Sequence, residues 1–188
     1  MRERKPFAVA NWKMAMTIEE GCQYVREFAD CLGEVAWAVE VVLCPPCTAL
    51  YPVGDLLKDS PIQLGAQNLS TSAGTAHTGD VSADLLVDVG CQWVLVGHWE
   101  IRRRDGETNA HVNAKLRTAH EAGLRSILLV GEGADERGQT REALDRRLPA
   151  LFDGLDADDV GRMVVVYEPE WTIGVDEPAP VEHVAAGC

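Results

Sequence analysis

Short apolar runs alternate six times with amphipathic stretches, and that alternation leaves few folds open. The runs are Phe7-Ala8-Val9-Ala10, residues 39–43, Ile62-Gln63-Leu64-Gly65-Ala66-Gln67, Trp93-Val94-Leu95-Val96-Gly97, residues 125–130 and residues 162–166. Each has strand length and is apolar almost throughout, as strands buried on both faces of a parallel sheet are. Between them lie helical patterns with recognisable ends. Thr17-Ile18-Glu19-Glu20 reads as a capping box opening a helix to about Leu32, and Leu56 and Leu57 belong to a helix after Pro45-Pro46. Ser82 opens a helix that stops near Gly90, residues 109–122 form one closed by Gly123, and residues 140–152 form a charged amphipathic one. A last helix begins at Pro180.

Repeated βα units predict a parallel sheet, closed as a barrel or open and doubly wound. No Gly-x-Gly-x-x-Gly follows the first strand and no Walker-type loop is present, so the barrel is the better reading. Eight units need about 250 residues. A chain of 188 residues is therefore expected to hold one domain with about six units, incomplete at its C-terminus, with open sheet edges.

A net charge of −13 argues against nucleic acid, which needs a basic face. An anionic substrate would have to be held by local groups against that field. No apolar run reaches the roughly 18 residues of a membrane span, and Met1 to Lys5 lead into a strand without a signal-peptide core, so a cytoplasmic protein is expected. Cys22, Cys31 and Cys91 sit in helix-like or pre-strand contexts that suit small buried thiols. Cys44-Pro45-Pro46-Cys47 has the spacing of a redox or zinc half-site, but no second pair matches it, and a structural role is expected.

Polar residues gather where strands end: Asn11 and Lys13 after the first, His98 and Glu100 after the fourth, Glu168 after the sixth. In a barrel such positions converge on one mouth. A carboxylate base, an imidazole and an ammonium suffice to move a proton beside a carbonyl. Singly, each has a plainer reading: His98 as a satisfied polar residue, Lys13 as a surface cation, Glu100 as a partner of Arg102 or Arg103 on a turn.

The segments Asn11-Trp12-Lys13-Met14, Pro45-Pro46-Cys47-Thr48-Ala49-Leu50, Gly65-Ala66-Gln67-Asn68, Ala76-His77-Thr78-Gly79-Asp80-Val81-Ser82-Ala83, Val96-Gly97-His98-Trp99-Glu100, Gly131-Glu132 and Tyr167-Glu168-Pro169-Glu170-Trp171-Thr172-Ile173-Gly174 carry a resemblance. In order and spacing the chain resembles the triosephosphate isomerase family from end to end. That resemblance implies an α/β fold, the TIM (β/α)8 barrel, of which about six units are present. It implies an aldose–ketose isomerase of glycolysis and gluconeogenesis, interconverting glyceraldehyde 3-phosphate and dihydroxyacetone phosphate through an enediol(ate). The base, the neutral histidine and the closing loop are this family's own documented features. By resemblance Glu168 is the base, His98 the neutral electrophile, Lys13 the cation oriented by Glu100, and Asn11 a substrate-binding residue. Trp171 to Gly174 would belong to the closing loop, with the Gly174 N–H on the phosphate. The loop containing Thr78 would cross a two-fold axis, implying a homodimer. No metal or organic cofactor is needed for this chemistry.

The chain also departs from the family. Gly-His-Ser-Glu-Arg-Arg becomes Gly97-His98-Trp99-Glu100-Ile101-Arg102, putting a large indole where a small hydroxyl stands beside the base. The loop Trp-Ala-Ile-Gly-Thr-Gly-Lys becomes Trp171-Thr172-Ile173-Gly174-Val175-Asp176-Glu177, with two acids at its tip and stiffening prolines at 178 and 180. These changes keep two alternatives in view: a tetrose- or tetrulose-phosphate isomerase of the same family, and a non-catalytic relative acting as a binding or assembly module.

Overall fold

A computed structural model describes residues 5–72 and 74–188. The N-terminal Met1 to Arg4, and Ala73 ahead of Thr78 in the chain, lie outside the described residues. Backbone contacts divide the chain into two compact units: one runs to Leu95 and adds Glu121–Arg125, the other comprises Val96–His120 and Ser126–Cys188.

The first unit contains β1 (Phe7–Asn11), α1 (Ile18–Leu32), β2 (Glu40–Cys44), α2 (Leu50–Leu57), β3 (Gln63–Ala66), α3 (Ala83–Asp88) and most of β4 (Trp93–Val96). The strands pair parallel in chain order, Val9 opposite Val42, Leu43 opposite Leu64, and Ala66 opposite Val94. The capping box at Thr17 forms as the sequence predicts, with Glu20 Oε2 accepting the Thr17 N–H at 2.8 Å and the Thr17 hydroxyl accepting from the Glu20 N–H. Val42, Leu43, Val53, Trp93 and Val94 are fully buried. Burying the indole of Trp93 leaves an N–H to satisfy, and Gln63 accepts it at 2.6 Å.

Cys44 lies fully buried in β2, and burial pushes its thiol up to about 12. Its sulfur sits where a Cβ on Gly65 would stand, 2.6 Å away, so it fills space against β3. Cys47 is exposed beyond the strand. Cys91 is buried as the sequence reading expects, whereas Cys22 is only partly buried and Cys31 is exposed on α1.

The second unit contains α4 (Trp99–Asp105), most of α5 (Asn109–Glu121) and of β5 (Arg125–Val130), α6 (Thr140–Leu151), α7 (Ala157–Gly161), β6 (Met163–Tyr167) and α8 (Val181–Gly187). β5 and β6 pair parallel, with Leu129 opposite Val166. Val112, Leu116, Ala119, Leu128 and Ala143 are fully buried.

Two helices go beyond the sequence reading, and one strand corrects it. Residues 99–105 form a helix and not a turn, because the His98 side chain caps it. Helix α7 escapes periodicity, being five residues long, and is held by Asp156, whose carboxylate accepts the N–H groups of Asp158 and Asp159. Strand β6 is parallel but not buried: its residues are partly buried at most, and Val165 is 49% exposed. It is the last strand in the sheet order, so its apolar composition outruns the cover available to it.

Candidate active site

The site in the second unit is built at the ends of β4, β5 and β6. Val96 is followed by Gly97 at φ +84°, where a Cβ would lie 2.8 Å from the Leu129 carbonyl oxygen. Only glycine combines that left-handed backbone with so close an approach to β5. The chain then turns into α4 with His98 as its N-cap.

Helices leave their first N–H groups unsatisfied. Here Nδ1 of His98 accepts the Glu100 N–H at 3.1 Å. A nitrogen that accepts carries no proton, so the ring is neutral and bears its proton on Nε2. Nε2 lies 3.3 Å from Oε1 of Glu168. Oε2 of Glu100 is 3.8 Å from Nδ1. His98 is buried, at 5% exposure, while the Glu100 side chain is half open to solvent. The structure therefore brings His98, Glu100 and Glu168 together.

Glu168 follows directly on β6. Its N–H donates to the Val130 carbonyl at 2.8 Å, extending the β5–β6 ladder by one residue. Gly131 makes this possible, since a Cβ there would fall 2.2 Å from the Glu168 carbonyl oxygen. Trp99 touches the same residue twice. Its peptide N–H donates to Oε2 of Glu168 at 3.4 Å and its indole N–H to the Glu168 carbonyl at 2.9 Å.

The turn Glu170–Thr172 comes next. The Glu170 N–H donates to the Glu132 carbonyl at 3.0 Å, and the Glu170 carboxylate accepts from Arg103 at 2.6 Å and from the Ala134 N–H at 2.8 Å. Burial pushes the Glu170 carboxyl up, but these donors outweigh it and hold it below the usual carboxylate range. Gly174, beyond the turn, is exposed at φ +76°.

Sequence reasoning gave Glu132 no role, although it quoted the Gly-Glu pair. Its side chain is fully buried and accepts from the Tyr167 hydroxyl at 2.8 Å, the Trp171 indole at 2.8 Å and His183 Nε2 at 2.7 Å. Burial pushes this carboxyl up; the donors, Trp171 foremost, more than offset it and keep it ionised. Burial, with Glu132 alongside, pushes the Tyr167 hydroxyl up to about 12, so it remains a donor. An ionisable residue directly after an apolar strand was the available signal, and it lacked a partner nearby in sequence.

Asn11 and Lys13 lie in the first unit, after β1. Asn11 is partly buried, and its Oδ1 accepts the Lys13 N–H at 3.0 Å. Lys13 takes φ +52°, uncommon for a residue with a side chain. Gln67 donates to its carbonyl at 2.8 Å, so both sides of the strained residue are held. Backbone strain kept in place this way is typical of functional positions. Among the described residues, no group of three or more His, Cys, Asp or Glu side chains is placed to hold a metal ion.

The family model for triosephosphate isomerase matches residues 6–188. Curated relatives carrying that name include one from Chloroflexus aurantiacus, 43% identical over 178 residues, covering 94% of this chain and 71% of the relative. Another, from Dictyoglomus thermophilum, is 39% identical over 95% of this chain and 72% of its own length. A third, from Rhodopirellula baltica, is 39% identical over 97% of this chain and 72% of its own.

Proposed function

The chain belongs to the triosephosphate isomerase family, and from that premise we propose that it interconverts glyceraldehyde 3-phosphate and dihydroxyacetone phosphate through an enediolate. One observation within the chain supports this reading above the rest: a carboxylate, Glu168, 3.3 Å from the Nε2 of a histidine held neutral by a helix N-terminus.

The chemistry follows from those two groups. The Glu168 carboxylate takes a proton from the carbon beside the carbonyl. The C–H electrons become a carbon–carbon double bond, and the carbonyl π pair moves onto oxygen. His98 donates its Nε2–H to that oxygen as negative charge grows there, which lowers the barrier most where charge develops. The hydroxyl proton passes from one oxygen to the other, with the same imidazole as carrier. Glu168 then returns its proton to the adjacent carbon, and atoms and charge balance.

In this proposal Glu100 is the auxiliary carboxylate beside His98, Lys13 supplies the cation for the enediolate, and Asn11 binds substrate. The Gly174 N–H meets the phosphate. A homodimer through the loop containing Thr78, and a cytoplasmic location, belong to the same proposal. Residues 74–80 of that loop are exposed. Among the described residues, no helix is long and apolar enough to cross a membrane.

Glu168→Gln keeps the shape and removes the base, so kcat is expected to fall by about 10²–10⁴-fold with KM little changed. Unchanged isomerisation in that variant would overturn Glu168 as the base, whereas no isomerisation by the unaltered protein would favour a binding module. Running triose and tetrose phosphates side by side on the unaltered protein fixes the substrate, and a higher kcat/KM on the tetrose would replace the triose assignment.

A further inference from the structure

We infer that Trp99 is a positioning residue for Glu168, an inference that rests on the isomerase reading above. It concerns the one place beside the base where the chain departs most from its family.

An indole is far larger than a hydroxymethyl group and has to be accommodated. Two guanidinium groups approach the Trp99 ring, Arg102 at 5.5 Å and Arg147 at 5.6 Å from the ring centroid. Both are within cation–π range. Arg102 is itself buried and tied down, donating to the Gly97 carbonyl at 3.0 Å and to Asn109 at 3.1 Å. Arg147 is held by Glu136 at 2.6 Å. The ring thus has a fixed seat, and a fixed seat makes its N–H a directional donor.

That donor meets the Glu168 carbonyl at 2.9 Å, the better of the two contacts in length. The acceptor is the carbonyl of the peptide that joins Glu168 to Pro169, the start of the segment after the strand. A residue preceding proline is already restricted to extended backbone. With its N–H on Val130 and its carbonyl on Trp99, Glu168 has both main-chain groups bonded on either side of Cα. The Trp99 peptide N–H at Oε2 adds a contact to the working end. One residue therefore holds the base by backbone and side chain together. A carboxylate that must sit within a fraction of an ångström of a C–H bond gains rate from such anchoring, since a small misplacement is costly.

The test compares the unaltered protein with Trp99→Phe, which keeps an aromatic ring beside the arginines while removing the N–H together with the five-membered ring. If Phe leaves too loose a fit, a benzothiophene analogue of tryptophan at position 99, with sulfur in place of N–H, preserves the bicyclic shape. With triose phosphate as substrate, kcat is expected to fall about tenfold, the worth of one well-made hydrogen bond, while KM stays within about twofold. Equal kcat in both proteins, or a loss confined to KM, overturns the inference and leaves the isomerase reading standing. A turnover-free readout separates the two claims. The ¹³C-carboxylate resonance of Glu168, assigned by its loss in Glu168→Gln, should be single and sharp in the unaltered protein and broaden or split in the variant. An unchanged resonance overturns the role of Trp99 whether or not the protein turns over triose phosphate.

Discussion

His98 and Cys44 show how differently two residues can follow from their sequence surroundings. His98 looks ordinary in the chain, one imidazole after a glycine. Its neutral state comes from a peptide N–H of the helix it caps, which occupies Nδ1 and leaves the proton on Nε2 toward Glu168. No local pattern announced that helix; it begins at the same residue that does the capping. Cys44, in contrast, sits in a motif that invites a redox reading, and burial removes the thiolate on which such chemistry depends. The same applies to Cys91, pushed up to about 12 by burial. Alkylation by iodoacetamide at pH 8 in native buffer, read by peptide mass, should label Cys31, Cys47 and Cys188 within minutes. Cys44 and Cys91 should remain unlabelled until denaturant is added. Rapid labelling of Cys44 in the native protein would contradict the packing described for β2.

At the scale of elements, the site depends on short irregular pieces between strands and helices. The turn Ala134–Glu136 is joined to α6 by one side chain, since Glu136 pairs with both Arg146 and Arg147 of that helix. The Arg147 guanidinium, foremost, draws the Glu136 carboxyl down from its ordinary 4.5 to about 2, against an opposing push from burial. The folded state therefore binds this proton less readily than the unfolded chain. The stability contributed is fully present above pH 4.5 and is lost as pH falls from there toward about 2. Urea titrations should find Glu136→Gln about 1.5–3 kcal/mol less stable than the unaltered protein at pH 6, the range for hydrogen bonds to charged groups. The gap should narrow as pH drops below 4.5 and close toward about 2. A gap independent of pH would mean that the pair contributes little. Arg147 also seats Trp99, so this pairing reaches the base through one intervening ring.

For the molecule as a whole, net charge sets a condition on substrate. At −13 the protein repels a phosphorylated sugar at long range, so capture depends on short-range donors: backbone N–H groups and a few cations. The loop around Thr78 carries the remaining proposal at this scale. Its base is held by Asp80, which accepts from Ser70 at 2.6 Å and from Ser72 at 3.3 Å, while residues 74–80 stand exposed. Placing a bulky cation at its tip, Thr78→Arg, should shift sedimentation-equilibrium mass from dimer to monomer at micromolar concentration, without changing helix content by circular dichroism. A monomer before substitution, or a dimer unaffected by it, would place the contact elsewhere or remove it.

Order and type of the strands and of the longer helices were written in the chain, because short-range physics decides them, whereas the short helices α4 and α7 were not. Apolar runs of strand length, the capping box at Thr17 and the glycine closing α5 each act within a few residues, and each stands where the sequence reading put it. The carboxylate after β6 and the histidine after β4 were legible for the same reason, as polar residues directly following apolar strands. What the sequence could not determine was set by contacts between residues far apart in the chain. The poor burial of β6 depends on what lies beside it. Glu132 becomes a buried anion only because Tyr167, Trp171 and His183 arrive from 35, 39 and 51 residues away. Trp99, which in the sequence read as an intrusion beside the base, becomes a donor to Glu168 across 69 residues. A hydrogen bond is worth making only at the right length and angle, and only the folded chain fixes those for groups so distant.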